Sequence, residues 1–449
     1  MVSAHPNLQR KLRNTDNIIR TSRPELASEL HTKYPDDYIN VDTHNTMQRV
    51  MPWVDVPSPL RLQTTQTIEG LQQPEPMSVD KILILCVDFP DKPHQLELGQ
   101  IYRRFFSDVE DSLKNYYKEI SYSRYIPEGE LYGWYRAPNP STYYSNKENG
   151  FGKYPNSAEK LVEDVIELAK NDPNAPIDWT SFDTNNNGYL DNIIIVHSGA
   201  EASYTGELDD LWAHVYVIPT PKIIQGKSVW VYEMVSEYLS QPTDAPTVGV
   251  DSHEFGHLLG LPDLYDYSGN SNGVGFYSLM GAGSWGGKGA HPVHMDAWSK
   301  YVLGFADATT NPTGNVSITD MTTDANIIKY TTPDPKEYFL IENRQKMLFD
   351  TSLPSEGMLI WHINENQQYN DNEKYYIVGL LQADGLQDLE NKANYGDDSD
   401  PYPGSLNNRS FGIDTKPGSV LCDDTRQKLL IDNISDSGSY MTFNSSFTT

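Results

Sequence analysis

One segment constrains this chain more than any other: His253-Glu-Phe-Gly-His-Leu-Leu-Gly-Leu-Pro-Asp263. Residues 248–261 carry apolar side chains at helical spacing. Two histidines at i and i+4 on a helix point at the same spot, one turn apart. Neutral imidazoles so placed hold a single Zn2+. Glu254, next to the first histidine, can reach a water that such a metal acidifies. Gly260 comes three residues after His257, where a glycine lets the helix end and the chain turn back. Pro262 reinforces the stop, and Asp263 then falls six residues after His257.

That spacing resembles the metzincin pattern HExxHxxGxxH, with Asp263 where the third ligand would be histidine. A thermolysin-like site needs a downstream Glu, and none occurs between Glu254 and Glu337. Asp266, His291, His294 and Asp296 compete with Asp263 for the third position. Further on, Tyr277-Ser-Leu-Met-Gly-Ala-Gly283 places Met280 in a Gly-rich turn. It is similar to a metzincin Met-turn, in which the methionine floors the metal site; an ordinary Gly-rich loop is the plainer reading.

A second ion-binding signal is Asp183-Thr-Asn-Asn-Asn-Gly-Tyr-Leu-Asp191. Asp183, Asn185, Asn187 and Asp191 offer oxygens at positions 1, 3, 5 and 9 of a Ca2+ loop, with the Tyr189 carbonyl at position 7. The Glu expected at position 12 is replaced by Ile194, so this is a loop before a strand and not an EF-hand. An ion-free Asn/Gly turn is the alternative. The aspartates at 397–400 form another acidic run, solvated surface by default and a second cation site otherwise.

The 449 residues are enough for two or three domains. Residues 1–78 are polar and read as a leader or prosegment, or else a tail. Residues 79–305 hold the metal motif. The continuously apolar run 82–87 is expected as a strand buried on both faces, and 192–197 as a second buried strand. Residues 228–233 alternate like an edge strand. Helices are expected over 107–119, capped by Ser107 and Glu110, and over 158–170, with Leu161, Val162, Val165, Ile166 and Leu168 on one broad face. From 306 to 449, short apolar runs alternate with turn signals, as in a smaller β-rich domain. The fold class is therefore α+β: a mixed sheet plus an active-site helix, then a β-rich C-terminal domain.

With 34 basic against 62 acidic residues, the formal charge of −28 argues against nucleic acid as a partner. No apolar run approaches the ~20 residues of a membrane-spanning helix. The first residues lack the apolar stretch of a signal peptide. The two cysteines, Cys86 and Cys422, make no disulfide scaffold. Cys86 reads as a buried thiol, with a bond to Cys422 as the other option.

These residues together resemble the immune inhibitor A family of zinc metallopeptidases, peptidase family M six. The likeness extends over residues 81–91, 112–117, 133–138, the Asp183 loop, 253–265, 278–280, 294–301, 338–344 and 359–363, about residues 80 to 443 in all. It implies a secreted endopeptidase acting on proteins or peptides, often made with a prosegment, with His253, His257 and Asp263 as zinc ligands and Glu254 as the base. Ala282 stands where some metzincins have a Tyr two residues after the Met, so no residue is assigned to the oxyanion. An inactive binding or surface protein of the same fold, or another zinc hydrolase such as an amidase, is the alternative function. The oligomeric state is not legible.

Overall fold

Strand β1 (Lys81–Asp88) is an inner strand of the first sheet, and Ile82 to Val87 are fully buried. A strand of Ile, Leu and Val with no polar face survives only where both faces are covered. The computed structural model describes residues 81–447, apart from 110, 245, 246 and 368. The leader expected at 1–78 lies outside the described residues.

The first sheet is completed by β2 (Glu128–Arg136), β3 (Asn192–Ala200), β4 (His214–Ile224) and β5 (Lys227–Tyr238), in the order β2-β1-β3-β5-β4. Neighbours are parallel except β4 and β5. The edge position expected for 228–233 is therefore corrected. β5 lies between β3 and β4, and nearly all of it is buried. Its cover comes from β4, which folds back through a tight turn at Gln225 and Gly226, both at positive φ (50° and 83°).

Helix α1 (Leu98–Phe106) precedes α2 (Leu113–Ile120). The helix expected over 107–119 thus starts later. Ser112 caps it by accepting from the Asn115 N–H at 3.0 Å, whereas Ser107 closes the end of α1. Helix α3 (Ala158–Lys170) packs on β1, β2 and β4 through Leu161, Val162, Val165 and Ile166. Leu168, assigned to the same face, is instead 36% exposed. Helix α4 (Val248–Leu258) lies against α2, β4 and β5. Helix α5 (Ala297–Val302) follows, capped by Asp296.

After α5 the chain is built mainly of strands: β6 (Asp307–Thr310), β7 (Gly314–Thr319), β8 (Asn326–Thr331), β9 (Glu337–Arg344), β10 (Gly357–Asn364), β11 (Val378–Leu380), β12 (Phe411–Gly412), β13 (Leu429–Asp432) and β14 (Tyr440–Phe447). They form two sheets, β11-β10-β9-β8-β6 and β12-β13-β14-β7. Strands β9 and β10 obey the period-two rule on both faces. Tyr338, Leu340, Leu359, Trp361 and Ile363 join the large core that contains the first sheet and α4. Phe339, Ile341, Met358 and Ile360 join a second core with Ile318, Ile431, Met441 and Phe443. The middle sheet is thus the wall between two cores. Its residues also reach into the metal-motif region: Arg344, fully buried, donates to the carbonyls of Tyr277 and His294 while paired with Asp350. The architecture is a mixed α/β one. Cys86 and Cys422 are both free thiols.

Candidate metal centre

Every residue of α4 is buried except His257, which is partly exposed. Tyr117 on α2 donates its hydroxyl to the Ser252 carbonyl at 2.7 Å, and Phe255 meets the Tyr117 and Tyr125 rings. These contacts fix the rotation of α4 about its axis, and hence where its imidazoles point. The helix stops as the sequence implies. Gly260 adopts φ +95°, which favours glycine, and its N–H bonds the His257 carbonyl. Leu264 N–H then bonds the Met280 carbonyl at 2.8 Å, tying the returning chain to the Gly-rich turn.

Asp263 is thereby set against both histidines. Its Oδ1 lies 3.0 Å from His253 Nε2 and 3.2 Å from His257 Nε2. One ligand atom from each residue falls within 4.8 Å of the others. Each imidazole aims its Nδ1 at a backbone carbonyl, His253 at Leu279 and His257 at Leu261, both at 2.9 Å. A carbonyl accepts only from an N–H, so in the neutral rings both Nε2 atoms keep lone pairs for the centre. Asp263 Oδ2 is engaged by the Tyr267 hydroxyl at 2.6 Å. His253 Nε2 and Asp263 Oδ1 are buried and make no hydrogen bond of good geometry, though they sit 3.0 Å apart. Buried polar atoms are normally satisfied, so this convergence is what a cation position would show. Two imidazoles and a carboxylate suit Zn2+. Burial opposes a charge on His257, but the Asp263 carboxylate overrides it and pushes His257 up to about 9. The trio thus draws positive charge to itself.

The four competitors for the third position are engaged elsewhere. Asp266 accepts from the N–H groups of Ser268, Asn270 and Ser271. His291 pairs with Asp111. His294 sits between Glu119 and Lys300. Asp296 caps α5 and bonds Ser278 and Ser299. Met280 is fully buried against α4: a Cβ on Gly256 would stand 2.6 Å from its sulfur. Glu254 is 3% exposed, and burial raises its carboxyl against the lowering pull of His253 and His257.

Several neighbours carry no sequence signal. Tyr267 anchors Asp263, and Tyr265 stacks over His253 with ring centroids 6.3 Å apart. Glu201 and Glu233, both buried, lie near enough to feel the charge of Glu254; Glu201 is pushed up to about 7, chiefly by burial. Only the chain path brings these groups together.

In the Asp183 loop, Asp183 accepts from the N–H groups of Asn187 and Gly188, Asn185 from Asn187, and Asn187 from Tyr189. Asp191 accepts from Thr184 N–H and from the Asn185 amide. Tyr189 bridges to Ser228. The Lys227 ammonium lies on Asp183 Oδ2, a cation already beside the loop.

Residues 99–306 match a family model described as the immune inhibitor A peptidase M6 catalytic domain. Pre-pro-metalloprotease PrtV of Vibrio cholerae serotype O1 (strain M66-2) is 30% identical over 272 residues, 50% of this chain and 29% of that protein. Immune inhibitor A of Bacillus thuringiensis subsp. alesti is 29% identical over 271 residues, 49% of this chain and 39% of that protein. The match takes in less than two thirds of either relative's length. The family resemblance drawn from the motifs is matched by that model over residues 99–306.

Proposed function

We propose, taking as premise that residues 99–306 are an immune inhibitor A-type peptidase domain, that this chain is a zinc-dependent endopeptidase acting on proteins or peptides. The observation that carries the reading is the convergence of His253 Nε2, His257 Nε2 and Asp263 Oδ1 on one buried point beside Glu254. These three residues would hold the metal. Bound there, Zn2+ supplies Lewis acidity for the scissile carbonyl and makes water easier to ionise. Glu254 takes the proton of the attacking water and returns it to the leaving nitrogen. Burial raises its carboxyl above the ordinary carboxylate range, the direction a general base needs. The Leu279 and Leu261 carbonyls hold the imidazoles in the tautomer that leaves Nε2 for the metal, with Met280 packed against the helix.

Glu254→Gln tests the assignment. It should retain one Zn2+ and lose ~10²–10⁴-fold in casein cleavage, the range for losing a general base. Near-parental cleavage by a folded Glu254→Gln protein would overturn the mechanism.

Three finer readings accompany this one. The 183–191 loop is read as a structural Ca2+ site on the strength of its four oxygen side chains at positions 1, 3, 5 and 9. Residues 1–78 are read as an inhibitory prosegment of a zymogen, with 79–305 the catalytic unit and 306–449 its β-rich companion. Equal activity with and without 1–78 would reduce that segment to a tail. Secretion is the localisation that accords with a relative named as a pre-pro-metalloprotease. No helix of the described residues is long and apolar enough to cross a membrane. Recovery of the protein from the medium would check it.

A further inference from the structure

Behind the Gly-rich turn lies a loop, residues 384–400, whose acidic groups have no role in the reaction above. Asp384, Asp397 and Asp400 each place a carboxylate oxygen within 4.8 Å of the others. Asp384 and Asp397 are half-buried, and Asp400 is 1% exposed. Asp400 Oδ2 accepts from the Asp397 N–H at 2.7 Å and lies 3.2 Å from the Tyr277 hydroxyl. Its Oδ1 is buried with no hydrogen-bond partner. A buried carboxylate oxygen left unpaired costs about 1–3 kcal/mol or more, which native structures avoid.

Ser399 adds an independent sign. Its Oγ lies 2.7 Å from Asp384 Oδ2 and 2.6 Å from Asp397 Oδ1. A serine hydroxyl has one proton, so it can satisfy only one of these two carboxylates. The other contact sets lone pair against lone pair. Burial, with the charges of Asp397 and Asp384 adding to it, pushes Asp400 up to about 7. Three carboxylates at close quarters, one oxygen unpaired and one proton shared between two, ask for a positive charge.

We propose that Asp384, Asp397 and Asp400 bind a divalent cation, Ca2+, and that the ion ties the 384–400 loop to the segment leading into Met280. An all-oxygen donor set on a loop fits Ca2+ and disfavours Zn2+, which takes nitrogen and sulfur more readily. The loop is already joined to that segment. Asn272 N–H bonds the Leu389 carbonyl and Phe276 N–H the Tyr395 carbonyl, both at 2.9 Å. The Asn272 amide donates to the Asn394 carbonyl at 2.6 Å, and the Tyr277 hydroxyl lies 2.9 Å from the Asp397 carbonyl. Two residues beyond Tyr277, the Leu279 carbonyl receives His253 Nδ1–H. Neutralising the loop therefore steadies a backbone that positions a candidate zinc ligand. The three aspartates touch no substrate; theirs is a positioning role.

The test reads calcium binding, so failure of the zinc-site reading would leave it intact. Full-length Asp183→Ala protein, which removes the other candidate loop, is freed of calcium, refilled with zinc and titrated with Ca2+ by equilibrium dialysis. It should bind Ca2+, and adding Asp400→Asn should weaken that binding roughly tenfold or more, because ligand charge count sets Ca2+ affinity. Absence of Ca2+ binding in Asp183→Ala overturns the proposal. So does an affinity in the double variant within about twofold of Asp183→Ala. If Asp400→Asn does not fold, Asp384→Asn at the half-buried rim is read in its place, and unchanged affinity there overturns the proposal equally.

Discussion

Tyr267→Phe isolates what the Asp263 carboxylate needs beyond its position. The Tyr267 hydroxyl donates to Asp263 Oδ2 at 2.6 Å while Oδ1 faces the two imidazoles. Removing the hydroxyl leaves Oδ2 buried with one donor fewer and frees the carboxylate to rotate about its last bond. A hydrogen bond to a charged group contributes about 1.5–3 kcal/mol. At about 1.4 kcal/mol per factor of ten, that is roughly a 10–100-fold loss of zinc affinity, the range seen when an outer partner of a metal ligand is removed. Packing should change little, because the ring stays between Tyr265 and Tyr369, with centroids 5.4 and 5.8 Å away. The assay is competition for zinc against a chromophoric chelator, repeated in an Asp263→Ala background. If Tyr267 acts through Asp263, Tyr267→Phe costs affinity in the parent and almost none beside Asp263→Ala. Zinc affinity within about twofold of the parent, or an equal loss in both backgrounds, would refute the reasoning.

Asp263→Ala itself should lose zinc affinity and activity together, whereas Glu254→Gln should lose activity alone; metal content measured beside casein cleavage separates them. If the Asp183 loop binds Ca2+, added calcium should raise the melting temperature of the parent and raise it less in Asp183→Ala, by the mass action of a ligand that binds only the folded state. An identical calcium response in the two proteins would argue against the Ca2+ reading and leave the loop with its Lys227 contact.

The helix that carries His253 and His257 was legible because its signal is local. Two histidines four apart face one way on any α-helix, and Gly260 with Pro262 ends that helix wherever it packs. Strands β1 and β3 were legible for a similar reason, since a run of Ile, Leu and Val has only buried solutions in a soluble sheet. Where burial is decided by what a segment pairs with and not by its own pattern, sequence patterning misleads. The alternation at 228–233 suggested an edge, but β4 pairs with β5 and takes the edge itself. Ser107 carried the residue type of a helix N-cap, yet it ends α1, and Ser112 does the capping.

From the sequence alone came the chemistry on offer: two imidazoles, a neighbouring carboxylate, a sharp stop after the helix, and oxygen-rich loops at 183–191 and 397–400. Only the tertiary structure decided which groups meet. It set Asp263 against the imidazoles while Asp266, His291, His294 and Asp296 went to other partners. It also brought Tyr267 to Asp263, Met280 beneath Gly256, and Asp384 to Asp397 and Asp400. The reason is physical. Spacing along a helix fixes direction to within a turn, but an oxygen supplied by a returning loop is placed by what that loop packs against, and those contacts lie tens of residues away in the chain.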